Sequence, residues 1–436
     1  MQHYDYILAG GGMAGLSLAY YLNQSELRTK RILIIDREPK LKNDRTWAFW
    51  EQSPGPFEAI LHRVWETVWF YGPQGYGPHG RGSGQPGEED FSEKLDLGGY
   101  RYKLLRGIDF YSFVRADLAK NPAVEFLYSP ILAVESSENG AVVKTEAGAF
   151  SADWVFDSTF RLEAMKPFNA DFSPIGETPT GRPSSRGSEL PSALLQHFKG
   201  WVVKTDTPAF DPAVPTMMDF RIEQHGECRF MYVLPFSETE ALVEFTLFTP
   251  TILPPETYDQ ELKNYLKNFL QIADFQIIES EFGIIPMSAE PVQERPGPRV
   301  MRIGTAGGTT RPSTGYTFAR TQRRLQRIAQ NLANDPSGHP LDGESDAIPA
   351  RYRLFDQIFL NVFLKKRFPP AVLFTQLYAR NRPADVFRFL DEQNSLLDDL
   401  RVIWAVPKLP FIWATIDVFR QKIVPRRMPR NPPEKL

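Results

Sequence analysis

The first forty residues alternate between apolar runs and a glycine loop. Residues 6–9 are apolar and lead into the glycine-rich segment 10–15, after which a helical pattern covers residues 16–23. A second apolar run, residues 31–35, ends at Asp36. This order of strand, glycine loop, helix, strand and acid predicts a βαβ unit that binds a dinucleotide, and therefore an α/β fold.

The glycines of this loop have separate mechanical roles. Gly10 permits the tight turn, Gly12 lets the backbone approach a pyrophosphate, and Gly15 lets the helix pack closely on the sheet. The helix N-terminus offers its free N–H groups to the phosphates, and Asp36 is placed to accept hydrogen bonds from an adenosine ribose. A chance glycine loop is the alternative, which the agreement of all these elements disfavours. Because the motif begins at residue 10, we expect no signal peptide ahead of it.

The region after Asp36 combines a helical pattern with short strands. Residues 102–118 carry apolar side chains at helical spacing, and Asp109 is a candidate N-cap. Arg106 precedes it and can reach a phosphate or ring edge of a cofactor; a solvated arginine is the alternative. Further strands are predicted at 124–127, 131–136, 141–145 and 154–159, with a hairpin turn at residues 139–140.

The second half of the chain changes to an antiparallel pattern and then becomes helical. Turn signals separate predicted strands at 202–205, 218–222, 228–235 and 241–248. A helix at 258–269 and a strand at 282–287 follow. Residues 300–308 form a second strand and glycine region, which leads into a long helix after Arg320, and residues 352–419 have helical apolar faces.

These patterns predict three parts. Residues 1–165 and 283–345 form a discontinuous Rossmann-like domain, residues 166–282 an antiparallel β domain for the substrate, and residues 346–436 a helical C-terminal region. The segment 167–191, rich in Pro, Ser and Gly, marks the domain crossing, and residues 72–99 read as an exposed loop or hairpin tip.

Composition narrows the functional classes. The 436 residues carry a formal net charge of −3, which gives no electrostatic case for nucleic acid. The one cysteine, Cys228, excludes an internal disulfide, fits a reducing compartment and is expected to be a buried apolar side chain. The six histidines are scattered, with no pair at ligand spacing on a predicted helix, so we predict no metal site.

Aromatic side chains make up 13% of the chain, and four of the eight tryptophans fall between residues 47 and 69. They form either a packed cluster or one wall of a hydrophobic pocket near the nucleotide. No apolar stretch reaches eighteen residues, so we predict no membrane-spanning helix. Basic residues near Trp404, Phe411, Trp413 and Phe419 fit a helix that lies in a membrane interface; a core helix with a solvated basic tail is the alternative.

Glu244 is the candidate catalytic residue. Strand alternation places its side chain on one face with Leu242, Thr246 and Phe248. A carboxyl group on an apolar face is costly to ionise, so its pKa rises and it can be a neutral proton donor near pH 7. The alternative is that this face is exposed to solvent.

Several motifs together resemble one family. Residues 304–321, GTAGGTTRPSTGYTFART, resemble the signature of lycopene cyclases, flavoproteins that close the ends of acyclic carotenoids. FMYVLPF at 230–236 followed by LVEFT at 242–246 resembles the stretch that bears the family's essential glutamate, and FGIIPM at 282–287 and RTWAF at 45–49 also fit. Phe245 stands where the family often has a second acid, and Thr305 stands where related flavin hydroxylases carry an acid.

The resemblance implies a two-domain α/β flavoprotein and an isomerase. FAD is held reduced by NAD(P)H, the substrate is lycopene or a related acyclic carotenoid, and Glu244 is the general acid. The further site residues it implies are Gly304, Thr305, Ala306, Gly307 and Gly315 for the cofactor, and Trp47, Phe49, Phe245 and Tyr316 for the substrate pocket. A membrane-dwelling substrate also favours peripheral association on the cytoplasmic side.

Two other functions remain open at this level. One is a FAD-dependent monooxygenase or reductase that acts on an isoprenoid lipid, because the N-terminal motif alone suggests it. The other is a non-catalytic carotenoid- or lipid-binding flavoprotein. The residues leave open whether one or both ends close, whether the ring is β or ε, whether NADH or NADPH is used, and the oligomeric state.

Overall fold

The computed structural model describes residues 1–73, 91–160, 193–335, 340 and 349–423. The predicted crossing at 167–191 and the basic tail after residue 423 lie outside these residues, as does most of the predicted loop at 72–99. Within the described residues, no helix is both long and apolar enough to cross a bilayer.

The strands of the described residues are β1 Gln2–Ala9, β2 Ile32–Asp36, β3 Thr46–Glu51, β4 Arg63–Trp65, β5 Thr67–Tyr71, β6 Ser92–Asp96, β7 Arg101–Arg106, β8 Val124–Tyr128, β9 Ile131–Ser137, β10 Gly140–Thr145, β11 Gly148–Asp157, β12 Leu194–Lys204, β13 Thr216–Asp219, β14 Cys228–Pro235, β15 Glu240–Thr249, β16 Gln276–Met287 and β17 Val300–Arg302. The helices are α1 Met13–Asn23, α2 Gly107–Leu118, α3 Pro255–Asn268, α4 Phe318–Asn334, α5 Ala350–Leu364, α6 Pro370–Ala379, α7 Pro383–Leu390, α8 Leu396–Trp404 and α9 Lys408–Ile423.

The first sheet contains the predicted βαβ unit. Its strand order is β8-β2-β1-β11-β10-β9, and β17 pairs with β11. Strand β1 runs parallel to both β2 and β11, and residues 6–9 are buried on both faces, as a central parallel strand requires. Helices α1, α2 and α4 cover one face, while β9 and β10 fold back as the predicted hairpin.

The second sheet is mainly antiparallel, as the sequence predicts, with the order β16-β12-β15-β14-β13-β5-β6. Helix α3 packs on one face, against Val243, Phe245 and Leu247 of β15. The opposite face joins a core that includes helices α5 and α6. Strands β5 and β6 lie in the stretch that the predicted domain boundaries assign to the first domain. However, β5 pairs with β13 and β6 pairs with β5, so both strands belong to the second sheet.

The predicted helix at 102–118 is wrong in its first turn. Residues 101–106 form β7, which pairs with β3 and β4 in a third, three-stranded sheet. Pairing on both edges overrides the helical spacing of the apolar residues. The helix begins at Gly107, so its N-cap is Arg106, and Asp109 lies in the first turn.

The C-terminal part is helical, as predicted. Helices α5 to α9 pack together and against the second sheet, where Phe363 and Phe374 contact aromatic side chains of strands or strand ends. Cys228, predicted to be a buried apolar residue, is 1% exposed in the same core.

Candidate functional site

The glycine loop between β1 and α1 has the geometry that a dinucleotide requires. Gly10 has a φ of +104°, and a Cβ atom there would collide with Ser158. A Cβ on Gly15 would collide with the carbonyl oxygen of Gly10, so this glycine sets the close approach of helix and strand. A Cβ on Gly12 would meet nothing within 4 Å, and no side chain caps the N-terminus of α1. The loop therefore leaves open space in front of free backbone N–H groups.

Asp36 lies at the carboxyl end of β2, beside this loop. Its Oδ2 accepts a hydrogen bond from the Gly11 N–H at 2.7 Å, which fixes the carboxylate next to the glycines. Arg106 is directed elsewhere: its guanidinium makes two hydrogen bonds to Asp109, at 2.8 and 3.1 Å. These bonds raise the pKa of Arg106, and its contact with a cofactor stays a prediction.

The second glycine region lies against the first, although three hundred residues separate them in the chain. Strand β17 pairs in parallel with β11, and a Cβ on Gly304 would lie 2.8 Å from the Cβ of Ala14 in α1. Ala306 and Gly307 are buried, and the Thr305 hydroxyl lies 3.1 Å from that of Thr310. The fold thus brings both glycine regions to one end of the first sheet.

Gly315 continues this region towards the second sheet. It has a φ of +73°, and a Cβ there would collide with Gln196 Oε1. Gln196 Oε1 and Thr314 Oγ1 are buried and have no hydrogen-bond partner within the described residues. Buried polar atoms without partners are uncommon, so a polar ligand edge is expected to satisfy them. Together with the open loop at Gly12, these atoms fit a flavin dinucleotide.

A cavity of about 110 Å³ lies between this region and β15, and Glu244 faces it. The carboxyl of Glu244 accepts a hydrogen bond from Thr246 Oγ1 at 2.7 Å. Burial, followed by repulsion from Glu281, raises the pKa of Glu244 well above its ordinary value. The other lining side chains are mostly apolar or aromatic and include Trp47, Tyr102, Phe198, Tyr232, Leu234, Leu242, Ile285, Tyr316 and Phe318.

Glu281 is a second acid in this cavity, which the sequence reasoning missed. Strand β12 lies between β15 and β16, and its Gly200 is the register partner of both Glu244 and Glu281. A Cβ on Gly200 would lie 3.1 Å from Glu281 Cγ, so only glycine leaves this space to the two carboxyls. Glu281 Oε2 accepts a hydrogen bond from Thr46 Oγ1 at 3.0 Å, and burial raises the pKa of Glu281 to about 7.

The sequence held a partial signal for this pair. Glu281 directly precedes the motif at 282–287, and Gly200 is an isolated glycine within an apolar strand, which often marks a close approach. Neither signal reveals that the two strands flank β12. The second acid of this cavity thus comes from another strand, whereas Phe245 follows Glu244 in the chain.

Three tyrosines contribute hydroxyl groups to the cavity wall. The hydroxyls of Tyr232 and Tyr316 lie 3.3 Å apart, and Tyr102 also lines the cavity. Burial raises the pKa of each hydroxyl, so all three remain neutral at physiological pH. The wall around Glu244 therefore carries hydroxyl dipoles and no cation.

Only two of the four predicted pocket residues line the cavity that contains Glu244. Trp47 and Tyr316 line the cavity with Glu244. Phe245 does not, because strand alternation turns its ring to the opposite face, where it packs against Tyr258 of α3. Phe49 lines a neighbouring cavity of about 30 Å³ and stacks on Phe318 at 4.4 Å.

The early tryptophans do not form one wall. Trp47 belongs to the core under α1, whereas Trp50 and Trp65 belong to the core of the second sheet. Trp69 stacks on Tyr71, with ring centroids 5.7 Å apart. The packed-cluster and pocket-wall alternatives therefore each apply to different members of this group.

Solved structures with a similar fold cover almost the whole chain. A geranylgeranyl bacteriochlorophyll reductase-like protein from Thermoplasma acidophilum has a TM-score of 0.55 and 15% identity over 96% of this chain and 99% of its own. A flavoprotein/dehydrogenase from Cytophaga hutchinsonii has a TM-score of 0.57 and 11% identity over 96% of this chain and 100% of its own. Likeness at such low identity concerns the fold alone, and it confirms the predicted α/β fold class.

Proteins related in sequence indicate the family more narrowly than the similar folds do. The chain is 26% identical to the chloroplastic lycopene beta cyclase of Arabidopsis thaliana over 78% of its own length, but this match spans only 63% of the plant protein. It is 23% identical to the lycopene beta-cyclase of Pseudescherichia vulneris over 93% of this chain and 95% of that protein. The family model described as lycopene cyclase protein matches residues 5–415. The chain therefore belongs to the lycopene cyclase family.

Proposed function

We propose that this protein is a lycopene beta-cyclase, an isomerase that closes the acyclic ends of lycopene into β-rings by acid catalysis. The observation that carries this proposal is the partly buried Glu244 carboxyl, which faces an aromatic cavity and whose pKa is raised well above its ordinary value by desolvation and by Glu281. A neutral carboxylic acid in an apolar site can protonate an alkene, which is a very weak base.

The cofactor proposed is FAD, reduced by NAD(P)H. The loop at Gly10, Gly12 and Gly15 would hold its pyrophosphate, Asp36 its ribose, and the region from Gly304 to Gly315 its ring system. When bound in its reduced, anionic form, FAD would supply negative charge that stabilises a carbocation, with no net redox change in the substrate.

The chain's own residues then direct the proton. Glu244 donates its proton to the terminal C1=C2 bond, which leaves positive charge on C1. The C5=C6 electrons form the C1–C6 bond and move the charge to C5, and loss of the C6 proton gives the β-ring. One proton is gained and one is lost, so the product is an isomer. The released proton returns to the pair of Glu244 and Glu281, which restores the starting state.

The cavity wall supports this sequence of steps. The Trp47 ring face offers cation–π stabilisation, and the hydroxyl dipoles of Tyr232 and Tyr316 add no positive charge that would oppose the carbocation. Apolar lining excludes water, which would otherwise capture the cation as an alcohol. Phe245, on the far side of β15, takes no part in this stabilisation.

We further propose that the protein lies on the cytoplasmic side of a membrane as a peripheral protein. Helices α8 and α9 expose Trp404 and Trp413, 73% and 56% accessible, together with several leucines. Tryptophan and leucine on one exposed helical surface suit insertion into the lipid interface. Such a location also matches a substrate that resides in bilayers.

The test is anaerobic conversion of lycopene with dithionite-reduced FAD. The proposal expects β-ring products from the wild-type protein, and none from Glu244→Gln with flavin still bound, because glutamine preserves volume but lacks the acidic proton. A strict requirement for oxygen would instead indicate a monooxygenase. Unchanged lycopene from the flavin-loaded wild type would indicate a binding protein, and wild-type turnover by Glu244→Gln would assign the proton to another group.

A further inference from the structure

A second, larger cavity lies within the C-terminal helices. Its volume is about 240 Å³, and its wall comes from α5, α6, α8 and α9, the end of α7 and the loop after Thr310. Most of the lining is apolar, with Phe359, Phe374, Leu377 and Ile403 among its side chains. An apolar protein cavity of roughly 150 Å³ holds a benzene molecule, so this one has room for a longer hydrocarbon segment.

The two cavities share a wall. Thr314 lines both the cavity that contains Glu244 and the larger helical cavity, and its neighbour Ser313 lines the latter. The ion pair of Arg311 with Asp356 borders the larger cavity, and the Arg311 guanidinium also donates to the carbonyl oxygens of Phe389 and Leu390. This charge is therefore satisfied within the protein and leaves the apolar space to an uncharged ligand.

The larger cavity reaches an exposed apolar surface on its other side. Eight of the sixteen large hydrophobic side chains that are exposed in the described residues fall between residues 396 and 419, on α8 and α9. We call this set the α8–α9 patch: Leu396, Leu397, Leu400, Trp404, Leu409, Ile412, Trp413 and Phe419. Leu400 is 50% exposed in the patch and also lines the cavity. Exposed apolar side chains are thus concentrated on the two helices that also help to line the cavity, and such a concentration is typical of a membrane or ligand contact site.

We propose that the helical cavity binds the polyene chain of the substrate while its end reaches Glu244, and that the polyene enters from a lipid surface through the α8–α9 patch. This inference rests on the proposed function. A lipid surface is the occupant favoured for the patch, because it both covers the apolar side chains and leaves the mouth open to a hydrocarbon. A second copy of the chain would cover the patch and close the mouth.

The cavity is tested by filling it. Leu377→Trp in α6 enlarges a lining side chain, and Leu132→Trp, on the exposed edge strand β9, is the matched control. Each variant is given lycopene and a short acyclic terpenoid with the same 1,5-diene end. We expect Leu377→Trp to lower turnover of lycopene at least tenfold relative to the short substrate, with Leu132→Trp unchanged. Equal effects on both substrates overturn the proposal.

A binding measurement separates this failure from failure of the proposed function. In the Glu244→Gln background, lycopene that stays with the protein through gel filtration is measured by its absorbance. Retention by Glu244→Gln and loss in Glu244→Gln/Leu377→Trp support the polyene site even if no ring closure occurs. Equal retention by the two proteins overturns it.

The entry route is tested by the manner of delivery. Leu400→Asp places a charge at the mouth, and lycopene is supplied either in phosphatidylcholine–phosphatidylglycerol vesicles or in detergent micelles. We expect at least a tenfold loss with vesicles and a much smaller loss with micelles. If Leu400→Asp loses the same fraction of turnover with vesicles as with micelles, entry from lipid is overturned. Entry from lipid is also overturned if the wild-type protein is a dimer, Leu400→Asp dissociates it, and turnover with vesicles is unchanged.

Discussion

Replacement of Glu281 by glutamine tests the electrostatics of the candidate site. The substitution keeps the volume of the side chain and removes the acid that lies across Gly200 from Glu244. In the proposed mechanism ring closure requires protonated Glu244, so the rate is highest below the pKa of Glu244 and falls as pH rises through it. Loss of the repelling neighbour lowers this pKa, and the alkaline limb of the pH profile moves to lower pH.

The magnitude follows from the environment of the pair. Burial is the largest cause of the raised pKa of Glu244 and remains in the variant, whereas the repulsion from Glu281 is lost. A neighbouring charge at this range typically shifts a pKa by about 1 to 3 units, so the limb should move by about that much. Because one unit changes the protonated fraction tenfold, the rate at high pH should fall about tenfold or more.

Stability gives an independent check. Folding raises the pKa of Glu281 from 4.5 to about 7, so the folded protein holds this proton more tightly than the unfolded chain. The contribution of Glu281 to stability is therefore fully present below pH 4.5 and is lost as pH rises to about 7, by on the order of 3 kcal/mol. Glu281→Gln should remove about this much of the pH dependence of urea unfolding between pH 5 and 8.

The assay is kcat/KM for ring closure from pH 5 to pH 9, with Glu279→Gln as the matched control. Glu279 lies on the same strand and is bound by Asn43 Nδ2 at 3.0 Å, outside the cavity lining. The control should move the alkaline limb by less than Glu281→Gln does, because the charge of Glu279 influences the pKa of Glu281 less than burial and hydrogen bonding do. An alkaline limb that stays in place in Glu281→Gln, or that moves to higher pH, would refute the pairing of the two acids.

Two further substitutions test other placements. Gly15→Ala should lower both Tm and FAD retention, because its Cβ would collide with the Gly10 carbonyl. Gly12→Ala should lower FAD retention and leave the Tm of the flavin-free protein unchanged. Equal Tm values for the two variants would contradict the assigned roles. Phe245→Ala should cost about 3 to 5 kcal/mol of unfolding free energy because it empties the core under α3. Phe245→Leu should retain wild-type turnover. A large loss of turnover at unchanged Tm would show that the Phe245 ring takes part in the reaction.

Local patterns in the chain were enough to predict the first sheet and the strand face of Glu244. The βαβ unit depends on residues 6–36, whose glycine spacing and apolar runs act within one short segment. The face of Glu244 follows from alternation along β15, which also places Phe245 on the other side. That second consequence was overlooked when Phe245 was assigned to the pocket, although the same alternation already contained it.

Contacts between distant segments could not be predicted from such local patterns. Residues 101–106 look helical by spacing, yet they form β7 because β3 and β4 offer hydrogen-bond partners on both edges. Glu281 became part of the site only because β16 and β15 flank β12 at Gly200. A local pattern cannot state which strand will lie beside which, since the choice depends on the packing of the whole sheet.

The sequence by itself determined the dinucleotide motif, the fold class, the family and one candidate acid, Glu244. Each depends on residue types at short, fixed spacings. Only the tertiary structure decided that Glu244 lies near Glu281, that Thr314 lines two cavities, and that Leu400 lines the larger cavity while half of its surface is exposed. Those features arise where side chains from distant segments share one buried space, and burial and proximity there set the pKa values and the shape on which the chemistry depends.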